Sequence, residues 1–163
     1  MYADTSVPRA VDYVRGACLI VRTSVLPNVG ELDERFFMYF EEADWCYRIT
    51  QAGGKVYVCP SAKVVHYGGD EVGHYDERKL VFYHKSLLFF YTKNHEMSAA
   101  AVLRLILVFR SLIRVGAWTI TGLGRPTLRD AAKSSIKGYL KVFGLATGLL
   151  SSQRVHVSTT EVI

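Results

Sequence analysis

Phe36-Phe37-Met38-Tyr39-Phe40-Glu41-Glu42-Ala43-Asp44-Trp45-Cys46-Tyr47-Arg48 carries three carboxylates from behind an aromatic and apolar wall into the start of a predicted helix. Acids suit a helix N-terminus on general grounds, because the unpaired N–H groups and the helix dipole favour negative charge there. A carboxylate cluster beside aromatic side chains also suits proton transfer. Downstream, Ala43, Cys46, Tyr47, Ile49 and Ala52 recur at helical spacing, and Gly53-Gly54 marks the end of the helix. Upstream, Thr23 to Val29 reads as a short turn or helix closed by Gly30, and Leu32-Asp33-Glu34 leads into the motif.

On either side the sequence turns to strands. Val11 to Arg22 is β-rich, and its apolar section Ala17 to Val21 reads as a buried central strand. Gly16 permits close approach of a backbone or a ligand. Lys55-Val56-Tyr57-Val58-Cys59 and Ala62-Lys63-Val64-Val65-His66 read as two short strands parted by Pro60-Ser61, with Gly68-Gly69 closing the second. Strand, helix, strand is half of an α/β domain.

With 163 residues, half of them apolar, the chain has material for one domain or one domain plus an appendage. Cys18, Cys46 and Cys59 form an odd set without metal-ligand spacing, each in an apolar stretch, which predicts buried thiols rather than a disulfide framework. The first residues lack the basic start and apolar run of a secretory signal. Charge is unevenly spread: residues 1–98 hold 11 Lys/Arg against 13 Asp/Glu, and residues 99–163 hold 9 against 2. A basic second half suggests an anionic partner for it.

That second half reads as helices. After a polar loop, Glu77 to Asn94 is rich in aromatics, and Ser98 is a plausible N-cap for a long apolar helix over Ala99 to Thr121. Arg104, Arg110 and Arg114 argue against a simple membrane span and fall within an arc of about 120°, which describes an interfacial helix. Gly122 to Pro126 breaks the chain, and Thr127 is placed to cap a third helix reaching Leu150. There Arg129, Lys133, Lys137 and Lys141 recur every four residues as a basic stripe. Packing on the domain with basic faces in water would explain both helices; binding to an anionic membrane surface would too. A nucleic-acid partner is disfavoured, since the basic helices are strongly apolar and their aromatics form no stacking platform.

Taken together, Val11 to Ala17, Leu32 to Arg48, Ala52-Gly53-Gly54-Lys55-Val56 and Val64-Val65-His66-Tyr67-Gly68-Gly69 resemble, in order and spacing, the second half of a family 2 glycosyltransferase of the GT-A fold. The likeness is closest to rhamnosyltransferase-like enzymes of bacterial cell-wall and polysaccharide synthesis. It implies an α/β fold class: the C-terminal half of a GT-A (Rossmann-like) domain over residues 1–97, then amphipathic membrane-associated α-helices over 98–153 and a flexible tail over 154–163. It also implies an inverting transfer from a nucleotide-sugar donor to a lipid-linked or polysaccharide acceptor, with Glu42 as catalytic base and Glu41 beside it; sequence does not fix which of the two faces the pocket. On the acceptor side the resemblance places Gly16, Tyr39, Trp45 and Asp44, the last as an orienting or structural group. His66 falls where such enzymes bring an imidazole to a divalent metal, Mn²⁺ or Mg²⁺, and imidazole modestly favours Mn²⁺. Gly68 and Gly69 fall near the diphosphate. Such enzymes also carry a nucleotide-binding unit with an Asp-rich metal motif, for which this sequence offers no counterpart. The resemblance therefore implies a C-terminal portion, inactive alone, peripheral to the cytoplasmic face of the cell membrane. The alternative is a non-catalytic membrane-surface module derived from such an enzyme.

Overall fold

In the computed structural model of the protein, residues 7–66 and 77–150 are described. Gly68, Gly69 and the tail expected over 154–163 lie outside them. The chain divides into two units, Met1–Val72 and Gly73–Ile163.

The first unit is built round one helix. Strand β1 (Arg9–Val11) pairs antiparallel with β2 (Val56–Val58), setting Ala10 opposite Tyr57 and Val11 opposite Val56. Between them run a 3-10 turn at Thr23–Val25, the single-turn α1 (Leu26–Val29), and α2 (Glu41–Gln51). Helix α2 buries Cys46 and Ile49 against Val29 and Val56, with Val11, Val14, Val21, Val25 and Trp45 packed around them. It ends as its glycines predict: Gly53 adopts φ +82° and its N–H reaches the Thr50 carbonyl, while Gly54 donates to Ile49 O at 2.9 Å. A Cβ on Gly54 would lie 2.9 Å from that carbonyl oxygen, so only glycine fits.

Three expectations for this unit need correction. Ala17 to Val21 is not a strand: Val21 joins the core, but Ile20 is 90% exposed. The segment 62–66 is likewise irregular and exposed rather than a second strand after β2. Of the three thiols only Cys46 is buried; Cys18 and Cys59 are exposed. The common reason is that among the described residues the sheet has two strands and one helix packs near it, with no second layer to bury those apolar residues.

Among the described residues the second unit has three α-helices: α3 (Glu77–Asn94), α4 (Met97–Gly124) and α5 (Arg129–Thr147). The boundary expected at 97/98 falls within it, since α3 packs on α4 and α5. Val81 and Leu88 of α3 meet Leu107 of α4 and Leu145 and Ala146 of α5, with Leu103 and Val108 alongside. Close approach depends on Gly138, where a Cβ would lie 2.9 Å from Leu80 Cδ2, and on Gly122, where it would lie 3.0 Å from Ala132 Cβ. The predicted caps are not used. Glu96, in extended conformation, is the N-cap of α4, and Ser98 Oγ lies 3.4 Å from its carboxylate instead. Thr127 lies inside a 3-10 turn (Pro126–Leu128), and Leu128 precedes α5.

The expected basic edge of α4 and basic stripe of α5 are partly absorbed by the fold. Arg104 donates to the carbonyls of Leu145 and Ala146 at 3.2 and 3.1 Å, satisfying the C-terminal end of α5. Arg110 reaches His84 Nε2 at 3.0 Å. Lys137 and Lys141 both pair with Glu77 at the start of α3. Burial pushes the Glu77 carboxyl up, but its hydrogen bonds and charge contacts with Lys141 and Lys137 outweigh this and hold it below its ordinary value. Among the described residues no helix is long and apolar enough to cross a membrane.

Candidate active site

The carboxylates of the opening motif are set by the chain just before them. Tyr39 and Phe40 occupy the left-handed region at φ 68° and 69°, and Phe40 is the N-cap of α2. Two successive non-glycine residues there cost about 1–3 kcal/mol each, a strain found mainly where surrounding structure and function demand it. Phe36 is buried shortly before the reversal, which leads straight into Glu41, Glu42 and Asp44 in the first turn of α2.

Glu42 is held from across the unit. Gly16 N–H donates to Glu42 Oε1 at 3.4 Å, and a Cβ on Gly16 would lie 3.8 Å from the Glu42 side chain. One turn further along the same helix face, buried Cys46 belongs to the core against which Val14, two residues before Gly16, is packed. Burial pushes the Cys46 thiol up; the Val14 backbone works against the shift and the Glu42 charge adds to it. The 14–16 segment thus lies along α2 from Glu42 to Cys46. The second oxygen of each acid, Glu41 Oε2 and Glu42 Oε2, is buried without a hydrogen-bond partner among the described residues. Buried acceptors of this kind are rare enough in folded proteins to call for a reason, and a donor delivered by a ligand is one.

Asp44 has a different place. Its side chain is fully buried and accepts from Arg48 Nε at 2.9 Å. Arg48 in turn donates to the carbonyls of Val29 and of Glu31, the latter at 2.7 Å, while Trp45 Nε1 donates to Gly30 O at 2.9 Å. Three consecutive carbonyls at the end of α1 are thus fastened to one turn of α2. Asp44, through Arg48, and Trp45 brace the end of α1 against α2. Arg48 had been given no function from sequence, although its i,i+4 spacing from Asp44 is the signal that pairs them.

The structure brings Gly16, Glu41 and Glu42 together, with the half-buried Tyr39 next to them in the chain. His66 is exposed at the end of the described part of this unit, and Gly68 and Gly69 lie outside the described residues. No three His, Cys, Asp or Glu side chains gather as metal ligands among the described residues. These described residues do not by themselves fit a Mn²⁺ or Mg²⁺ ion.

Known proteins similar to the chain share one kind of chemistry. It is 38% identical over 87 residues to the N-acetylglucosaminyl-diphospho-decaprenol L-rhamnosyltransferase of Mycobacterium tuberculosis, a match covering 53% of this chain and 28% of that protein. It is 33% identical over 78 residues to the rhamnosyltransferase WbbL of Escherichia coli, covering 48% and 26%. With the low-salt glycan biosynthesis hexosyltransferase Agl10 of Haloferax volcanii it shares 34% over 58 residues, covering 36% and 19%. The matched stretch thus spans about a quarter of the length of these relatives. No protein-family profile and no solved structure matches the chain. The similarities bear out the resemblance to family 2 glycosyltransferases read from the sequence.

Proposed function

We propose that the chain supplies the acceptor-side, catalytic-base portion of an inverting GT-A glycosyltransferase acting in cell-envelope glycan synthesis. The observation that supports this most is Glu42, which accepts from the Gly16 N–H through one oxygen while its other oxygen is buried without a partner among the described residues, beside Glu41. In the proposed reaction Glu42 Oε2 accepts the proton of an acceptor hydroxyl. The freed oxygen attacks the anomeric carbon of a nucleotide sugar and forms the new glycosidic bond. The bond from that carbon to the diphosphate breaks on the opposite face, and its electron pair departs with the nucleoside diphosphate. The transferred proton is left on the Glu42 carboxyl.

Donor binding belongs to a nucleotide-binding unit with an Asp-x-Asp motif. The sequence contains no such motif, so residues 1–163 alone are expected not to turn over. The acceptor is lipid-linked or polysaccharide, and the helices hold the protein as a peripheral component at the cytoplasmic face of the cell membrane.

The test combines this chain with a nucleotide-sugar-binding half and follows transfer to a polyprenyl-diphosphate-linked acceptor. The product is expected to carry the anomeric configuration opposite to the donor's, read by NMR. Retention of configuration would overturn the single-displacement mechanism.

A further inference from the structure

Helix α4 turns its apolar side outward. Val102, Leu105, Ile106, Phe109, Ile113 and Ile120 are each more than half exposed. At about 100° per residue these positions lie within an arc of about 100° that runs the length of the helix. The buried residues Ala100, Leu107 and Ser111 face the opposite side. Arg110 and Arg114 line one edge of the shallow groove formed by Ile106, Phe109 and Ile113. The helix contains no Asp or Glu.

We propose that this face of α4 is the membrane-binding surface, lying in the plane of a bilayer with its aliphatic stripe and Phe109 at the boundary between headgroups and acyl chains. Arg114 at its edge meets lipid phosphates, while Arg110 beside it is turned to His84. The inference deepens the membrane placement proposed above and is independent of the role of Glu42. Charge complementarity selects the occupant: a second copy of the face would bring only cations to the shared rim, whereas phosphates neutralise them. The basic stripe of α5 is partly occupied, with Lys137 and Lys141 paired to Glu77, and Arg104 of α4 is bonded to the end of α5, so burial of apolar surface is expected to contribute more to binding than the stripe.

Flotation of the full 163-residue chain with vesicles tests this, using phosphatidylcholine alone and phosphatidylcholine mixed with phosphatidylglycerol, each at low and high salt. The wild type is expected to float with both, and salt to change binding by less than about threefold. Phe109→Asp with Ile113→Asp is expected to weaken binding at least about tenfold with helicity unchanged. Phe109→Ala, a milder change at an exposed site, is expected to weaken it less, and Lys133→Gln on the α5 stripe to leave it unchanged. Binding confined to anionic vesicles and stripped by salt overturns the inference while leaving membrane placement standing. Failure to float with either vesicle overturns both. Self-association abolished by Phe109→Asp also overturns the inference, making the face an interface between copies. Loss of sugar transfer in a Glu42 variant bears on neither.

Discussion

Replacing Arg48 by leucine removes the centre of the brace beneath the candidate site. Arg48 is bonded to three acceptors: Asp44, whose side chain has no exposure, and the carbonyls of Val29 and Glu31. Taking away one member of a buried ion pair costs about 3–5 kcal/mol, because the other charge stays in a poorly solvated place. A unit of this size has a stability of similar magnitude at about 0.05–0.15 kcal/mol per residue. Arg48→Leu is therefore expected to unfold the first unit while the helical unit persists. The sequence has two tryptophans, Trp45 in the first unit and Trp118 on α4, so a Trp118→Phe background leaves Trp45 as the reporter. Urea titration of its fluorescence reads the first unit alone. Adding Asp44→Asn to Arg48→Leu is expected to recover about 1–2 kcal/mol, since the residue left behind is then uncharged. A loss under about 1 kcal/mol for Arg48→Leu, with no recovery in the double variant, would refute the brace.

Two further outcomes follow from the helical unit. His84 is buried, its Nδ1 donates to Leu80 O at 2.7 Å, and its Nε2 accepts from Arg110, so the fold holds the neutral imidazole. Burial lowers its proton affinity below the ordinary 6.5, the Leu80 bond works against this, and the Arg110 charge lowers it further. The unfolded chain thus binds the proton first: the contribution is complete above the unfolded value of 6.5 and is lost as pH falls toward the folded value. Helicity melts from about pH 7.5 to about pH 5.5 are expected to show a loss of at most about 1.4 kcal/mol per pH unit, and His84→Gln to flatten the trend. At the α3–α5 crossing, Gly138→Val is expected to destabilise the unit by about 1–3 kcal/mol in urea melts, because a Cβ there already meets Leu80 Cδ2 at 2.9 Å.

What sequence reading captured and missed has physical causes. The limits of α2 were legible because its apolar spacing and the Gly53-Gly54 stop are local signals, and α3 was legible for the same reason of periodicity. The strand expected over Ala17 to Val21 was not recoverable, since a β-rich apolar run becomes a strand only if a neighbour pairs with it. Arg104 and Arg110 read as a solvent-facing basic edge because helical spacing fixes which positions share a side but not which side meets the bundle; the acceptors at Leu145, Ala146 and His84 are far off in sequence. Around the candidate site, Glu41 and Glu42 were visible as a motif, but the partner that orients Glu42 is a backbone N–H, which any residue type except proline provides. Gly16 was picked out for its lack of a side chain; its observed contact uses its amide.

The central claim is that Glu42, not Glu41, takes the proton from the acceptor. Single-turnover transfer by this chain combined with a nucleotide-sugar-binding half, comparing Glu42→Gln with Glu41→Gln, tests it most directly. The account predicts a loss of about 10²- to 10⁴-fold for Glu42→Gln with donor affinity retained, and a markedly smaller loss for Glu41→Gln. Transfer by Glu42→Gln at the wild-type rate, or a larger loss in Glu41→Gln, would contradict it.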